Sequence, residues 1–271
     1  NVRYWRQELD ECFRNWRREI MRTLYYPQYA YLSSAPKQEI CSPVQGSAYD
    51  RLQQMVGLKQ VKAIMDEILD YTRVQKLCAD PDAAQTHPSF HMVFTGNPGS
   101  AKTTVARLIA EILAENQVLY RGKLHEVGRS DLVGKYVGWT AKLVKEAFEK
   151  AKGSVLFIDE AYSLVDKQGS FGDEAINAIV QEMENSRGST VVIFAGYPDK
   201  MEHFLDRNPG LRSRIAFYVP FEDYMPEELV EITGLLAAQK RLSLAPGTEE
   251  KLLSIYRQAV GTPDFGNGRL A

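Results

Sequence analysis

Residues 94–104 read FTGNPGSAKTT, directly behind an apolar stretch, HMVF. Small residues, one lysine and two hydroxyl side chains at that place suit a phosphate chain. Bare backbone N–H groups can cradle the phosphates, Lys102 can reach the β- and γ-phosphates, and Thr103 can hold Mg2+ through its hydroxyl. The spacing is that of the phosphate loop G-x-x-x-x-G-K-[ST]. Gly96, Asn97, Pro98, Gly99 and Ser100 form the loop, and Lys102, Thr103 and Thr104 open a helix. One position departs from the pattern: Ala101 stands where the second glycine belongs. Its methyl group is expected to cost little, because the chain is there entering a right-handed helix, which alanine favours. It would matter only at positive φ. The plainer alternative is a glycine-rich turn with a chance lysine.

A second stretch argues against chance. VLFIDE, at 155–160, is four apolar residues ending in two carboxylates. Acids at the end of a buried strand are costly unless they meet a cation or solvent at the sheet's carboxyl edge. Asp159 fits the residue that organises Mg2+, and Glu160 the base that orients and polarises an attacking water. Taken alone this could be a buried strand with a solvated acidic end. With the lysine loop upstream, it points to nucleotide hydrolysis.

These residues need a scaffold, and the sequence supplies one. FHMVFTG, KLHEVG, SVLFIDEA, TVVIFAGY and IAFYVPF are short apolar runs, the first four each followed by a stretch of helical periodicity. Strands alternating with helices predict a doubly wound parallel α/β sheet of five strands. A further helix is expected over 58–78. After Pro220 the strand signals stop, and two helical patterns predict a small helical lid. Residues 2–24 have the period of an amphipathic helix, and residues 25–48 read as an irregular linker. The N-terminal helix either packs on its own domain or binds a partner. The expected organisation is therefore 1–48 as helix and linker, 49–222 as the nucleotide-binding domain and 223–271 as the lid. Because the chain starts at Asn1 and ends two residues after Arg269, both ends are expected to be incomplete.

The motifs GNPGSAKTT, VLFIDEAYSL, FAGYPDKM and NPGLRSRI resemble those of the AAA+ ATPases. Within that group they are most similar to the CbxX/CfqX proteins, which include stage V sporulation protein K and red-type Rubisco activase. The resemblance extends over residues 50–271. It implies a P-loop AAA+ fold, ATP and Mg2+ as ligands, and a homo-oligomeric ring, hexameric in such proteins. Several ATPase families carry the alanine form of the loop. MVGLKQV resembles the segment bordering adenine, which would set Val56, Gly57 and Leu58 against the base. Arg214 resembles the arginine finger that reaches a neighbour's γ-phosphate, with Arg212 as a second candidate; an ordinary surface arginine is the alternative. Arg269 resembles the sensor-2 arginine that ties the lid to the γ-phosphate. There is a departure at sensor 1: a polar Asn or Thr is replaced by Ala195-Gly196-Tyr197, leaving the Tyr197 hydroxyl as the candidate.

GKYVGWT, at 134–140, matches the aromatic-apolar-glycine loop that lines the pore of ring remodellers, with Tyr136, Val137 and Gly138 in the gripping positions. An aromatic ring grips a chain by area and stacking without needing a sequence. Tyr136 packed inside its own subunit is the alternative. VDKQGSFGDE is a candidate second pore loop.

Composition bounds the function. Net charge is −2, and the pore segment offers only Lys135, so a nucleic-acid-associated ATPase such as a helicase loader is disfavoured against a protein remodeller. A third reading, an ATP-binding assembly switch with little turnover, fits poorly with Glu160 and Arg214 both present. Three dispersed cysteines suggest reduced thiols in a cytoplasmic protein, and four histidines form no metal pattern. No apolar run approaches membrane-spanning length, no signal peptide is evident, and no membrane partner is expected. The expected function is an ATP-hydrolysing ring that threads or remodels an unknown protein client. The long aromatic N-terminal extension favours the sporulation branch over a plain activase.

Overall fold

The apolar runs at 92–96, 155–158 and 191–196 are buried on both faces, as inner strands of a parallel sheet must be when helices cover each side, while those at 124–127 and 217–221 are only partly buried. The computed structural model describes residues 47–78, 89–134, 136, 138–165, 171–262 and 265–271. Its sheet contains β1 (Met92–Gly96), β2 (Leu124–Val127), β3 (Val155–Ile158), β4 (Val191–Gly196) and β5 (Phe217–Phe221). All pair in parallel, in the order β2-β3-β4-β1-β5. Each of the five expected strands is found where the sequence placed it.

The strand period of two divides the core into two layers. Met92, Phe94, Val155, Phe157 and Ile193 point to one face, where they pack with α1 (Ser47–Gln54), α2 (Lys59–Cys78) and α3 (Lys102–Glu115). Val93, Leu156, Ile158, Val192 and Phe194 point to the other face. They meet α5 (Trp139–Lys150), α6 (Phe171–Asn185) and α7 (Pro198–Asp206), while the short α4 (Arg129–Leu132) follows β2. Another short helix, α8 (Pro209–Arg212), precedes β5.

Beyond β5 the lid comprises α9 (Pro226–Gln239), α10 (Thr248–Ala259) and a 3-10 turn, Asn267–Arg269. Its own core is small: Tyr224, Leu229, Tyr256 and Phe265. Helix α1 begins at Ser47, inside the stretch expected to be irregular, and anchors through Leu52, which is fully buried. The amphipathic helix expected over 2–24 and the rest of the linker lie outside the described residues, as do Lys135, Val137 and residues 166–170 of the second candidate pore loop. No helix among the described residues is long and apolar enough to cross a membrane.

Candidate nucleotide site

Three strand ends converge at the carboxyl edge of the sheet, where crevices of doubly wound folds take their ligands. The loop after β1 turns sharply because Gly96 faces Phe221 on β5, where a Cβ would lie 2.6 Å from the Phe221 carbonyl oxygen. Gly99 has φ 75. Ser100 is buried, and its hydroxyl donates to the Asn97 carbonyl at 2.8 Å.

Ala101 is not in the right-handed region expected of it. It takes φ 67, ψ 18, left-handed, at the N-cap of α3. A loop that turns successive N–H groups toward one anion alternates the hand of its backbone, and the alternation falls on this residue. Alanine there stores about 1 kcal/mol or more of backbone strain, which glycine would not. The first amide of α3 to reach back one full turn is that of Val105, which bonds Ala101 O at 2.9 Å. The N–H groups of Lys102, Thr103 and Thr104 precede the helical ladder and face outward along the helix axis.

Lys102 is folded onto its own loop. Its Nζ donates to Gly96 O at 2.8 Å and Asn97 O at 2.7 Å, and lies 3.3 Å from Ser100 Oγ. Burial lowers the pKa of its ammonium. Asp159 and Asp223 oppose that shift, while Arg269 adds to it. An arriving phosphate would offer this amine stronger, charge-assisted partners than carbonyls.

Asp159 and Glu160 follow β3 and are exposed to the cleft. Asp159 Oδ1 accepts the Glu160 N–H at 2.9 Å, and Glu160 adopts φ 47, ψ 45. A left-handed glutamate is strained, and strain of this kind gathers at functional sites. Tyr162 stands two residues on. Burial, followed by the Glu160 carboxylate, pushes its phenol up to about 12, so it remains a neutral donor beside that acid. Its ring lies 6.0 Å from that of Tyr197, and Lys200 Nζ sits over both at 4.7 and 4.9 Å. Gly196 has no room for a side chain: a Cβ would lie 2.8 Å from Tyr162 Cδ1 and 2.7 Å from Met201 Sδ. The tyrosine pair thus occupies the end of β4, where the sequence lacks a polar sensor residue.

The cleft has a volume of about 730 Å³, within the range of small-molecule sites. Val56, Pro98, Gly99, Ala101, Lys102, Thr103, Thr104, Asp159, Glu160, Tyr197 and Arg269 all line it. Asn97 and Ser100 belong to the loop, but their side chains bond elsewhere. Of the three residues expected at the base, Val56 is in the wall. Gly57 and Leu58, at φ 65 and 56, turn the chain away toward Glu228 and the lid. The apolar part of the wall comes instead from Met55, Leu108, Ile232, Leu235 and Leu236. Sequence reading missed these because ordinary helix periodicity does not mark residues of a distant lid as ligand contacts. The pocket therefore has an anion end, an acidic edge and an apolar end, which suits a nucleoside triphosphate. Among the described residues no cluster of three or more His, Cys, Asp or Glu side chains could hold a metal alone.

Comparison with known proteins decides the family. The model of the ATPase family associated with various cellular activities (AAA) matches residues 92–220, and an AAA lid domain model matches 225–271. The chloroplastic ribulose bisphosphate carboxylase/oxygenase activase of Cyanidioschyzon merolae is 42% identical over 80% of this chain and 74% of its own. Protein CbbX of Cereibacter sphaeroides is 43% identical over 80% of this chain and 71% of its own. Protein CfxQ of Xanthobacter flavus is 43% identical over 79% and 68%. The chain belongs to the AAA ATPases, CbxX/CfxQ type. Its activity is ATP hydrolysis. Two solved structures share the fold at 21% and 20% identity, each with a TM-score of 0.54. They are the FIGL-1 AAA domain with ADP, covering 77% of this chain and 66% of that one, and a RuvB variant of Thermotoga maritima, covering 81% and 62%.

Two residue sets of this AAA ATPase stand apart from the cleft. Arg214, before β5, does not line it. Its Nη1 donates to Gly210 O at 3.0 Å, and its Nε lies 3.3 Å from Glu184 Oε2, an ion-pair distance without hydrogen-bond alignment. Arg212 pairs with Asp206. At the loop after β2, Tyr136 is 64% exposed, so it is not packed inside its own subunit. Its ring meets that of Trp139, 57% exposed, edge to face at 5.3 Å. Gly138 between them is left-handed, at φ 78. Trp139 was overlooked in the sequence, although the glycine before it marked a helix start that would leave it at the surface.

Proposed function

We propose that this chain assembles into a homo-oligomeric ring, hexameric, that couples ATP hydrolysis to remodelling of a protein client. The nucleotide-binding domain spans 49–222 and the lid 223–271. The loop amides and Lys102 hold the phosphates, Thr103 and Asp159 hold Mg2+, and Glu160 orients and deprotonates the attacking water. Arg269 reaches the γ-phosphate from the lid. Arg214, standing away from its own cleft, serves a neighbour's; a cation aimed at developing phosphoryl charge is worth orders of magnitude in rate. Tyr197 and Tyr162 take the place of the missing polar sensor.

The observation that carries the remodelling half is the exposed Tyr136–Trp139 pair, in a stretch of sequence that also holds Gly134 and Gly138. Two unburied aromatic rings are costly to a chain that has no use for them, and they grip polypeptide by area. A helicase-loader reading would call for cations there, and the segment holds only Lys135. For the client, the activase among the relatives makes Rubisco the first substrate to assay. The sporulation-type reading rests on the N-terminal extension, which lies outside the described residues.

The test is ATPase rate and client remodelling with Tyr136→Ala. Basal hydrolysis should stay within about twofold while remodelling is lost, and added polypeptide, not single-stranded DNA, should stimulate the unmutated protein. Strong stimulation by DNA that falls steeply with salt would reverse the reading.

A further inference from the structure

One carboxylate beside the phosphate loop has so far entered only through its charge near Lys102. Asp223 lies just past β5, in the segment that leads into the lid. Its two oxygens accept Asn97 Nδ2 of the phosphate loop at 3.1 and 3.0 Å. Oδ1 also accepts Asn267 Nδ2 of the lid's last turn at 2.8 Å. Asn267 is fully buried, at φ 50, and its amide is used throughout: Oδ1 accepts the Tyr224 N–H at 3.0 Å, and Nδ2 also reaches Pro98 O at 3.2 Å. One residue further on, the Gly268 N–H donates to Gly99 O at 3.1 Å. The fit is close, since a Cβ on Gly99 would lie 2.1 Å from Gly266 O.

We propose that Asp223 is a positioning residue that locks the lid's last turn onto the phosphate loop and thereby sets Arg269 over the phosphates. An anion next to a phosphate site works against binding unless it does something else, because like charges repel. Here it holds two amides from segments 170 residues apart, Asn97 and Asn267, in one network. Arg269 ends the turn that Asn267 begins, and its N–H bonds Gly266 O at 3.0 Å. The carboxylate therefore fixes the backbone from which the arginine extends. Asn97 reports the state of the loop, Asn267 the state of the lid, and Asp223 joins them.

This inference rests on Arg269 facing the γ-phosphate, and the experiment separates the two. ATP and ADP dissociation constants are measured in a Glu160→Gln background, so that no turnover intervenes, for Asp223→Ala, Asp223→Asn, Arg269→Ala and the Asp223→Ala/Arg269→Ala pair. Backbone hydrogen exchange is followed at 96–100 and 266–270. Asp223→Ala should weaken ATP about tenfold and ADP by no more than about twofold, with Asp223→Asn, which keeps one acceptor, in between. The double variant should be no weaker than Arg269→Ala alone, because the first residue acts through the second. Exchange should rise at both segments and stay unchanged in β3. Equal weakening of ATP and ADP, additive losses, or unchanged exchange at 266–270 would each make Asp223 a plain hinge residue and overturn the proposal. If Arg269→Ala leaves ATP binding intact, the reading of Arg269 fails, and the exchange measurement alone decides whether Asp223 holds the lid. Should Asp223→Ala not fold, Asp223→Asn carries the same comparisons at roughly threefold.

Discussion

The α/β sheet is sealed on both faces by helices, whereas the lid closes over Tyr224, Leu229, Tyr256 and Phe265 and leaves Leu235, Leu236, Leu242 and Ile255 at the surface. Both regions contribute to the nucleotide cleft. The sheet edge supplies charge and hydrogen-bonding groups. The lid supplies apolar wall and one arginine, and its few buried contacts place it at the low-stability end of the molecule. The difference teaches that one site is built from a well-buried half and a sparsely buried half. The polar contacts at Asn267 and Gly268 are where the sparsely buried half is fastened.

The sharpest way to break this comparison is to damage each half in turn. Phe94 is fully buried and packs on Phe157 and Phe221, at 6.5 and 4.9 Å between ring centroids. Phe94→Ala should cost about 3–5 kcal/mol in denaturant unfolding and raise hydrogen exchange through the whole sheet. Leu229→Ala, at the centre of the lid core, should raise exchange in 226–262 and leave the sheet protected. A Leu229→Ala protein whose sheet loosens equally would show that the halves are one cooperative unit.

Acid should act on the sheet through a buried histidine. His91 precedes β1, is buried, and accepts the Val192 N–H through Nδ1 at 3.0 Å. Burial lowers its pKa to about 4. The unfolded chain therefore binds the proton more readily between pH 4 and the ordinary value near 6.5. The stability tied to keeping this histidine neutral is full above 6.5 and is lost as pH falls toward 4, by up to about 3 kcal/mol. His91→Asn should flatten that slope in pH-dependent unfolding. A slope unchanged by the substitution would assign the acid loss elsewhere.

The smallest effect sits in the phosphate loop, on the sheet side of the cleft. Ala101→Gly removes the left-handed strain at the head of α3 and should stabilise the protein by about 1 kcal/mol, offset in part by the entropy of glycine in the unfolded chain. Thermal unfolding checks the sign. A destabilised Ala101→Gly protein would mean that the methyl group's packing outweighs the strain.

What the sequence made legible follows the same division. The three inner strands could be read because a parallel sheet covered on both faces needs nearly unbroken apolar runs there, the edge strands because each lies between helical patterns, and the phosphate loop and its acids because their spacing is local. The conformation of Ala101 could not, since the hand of a loop residue is set by what the loop must face. Helix α1 was hidden in a Tyr- and Pro-rich stretch and depends on tertiary burial of Leu52. The bonds of Asp223 to Asn97 and Asn267, and the lid leucines in the cleft wall, join residues far apart in sequence, which no window reading captures. Tyr162 carried only a weak signal, its place two residues after Glu160.

The most direct test of the site is Glu160→Gln. ATP binding, read by equilibrium titration with Mg2+ present, should stay within about threefold of the unmutated protein, because the phosphate loop, Lys102, Thr103 and Asp159 are intact, while turnover falls about a hundredfold or more for want of a base. Turnover equal to that of the unmutated protein, with binding preserved, would contradict the assignment of this cleft's chemistry to Glu160.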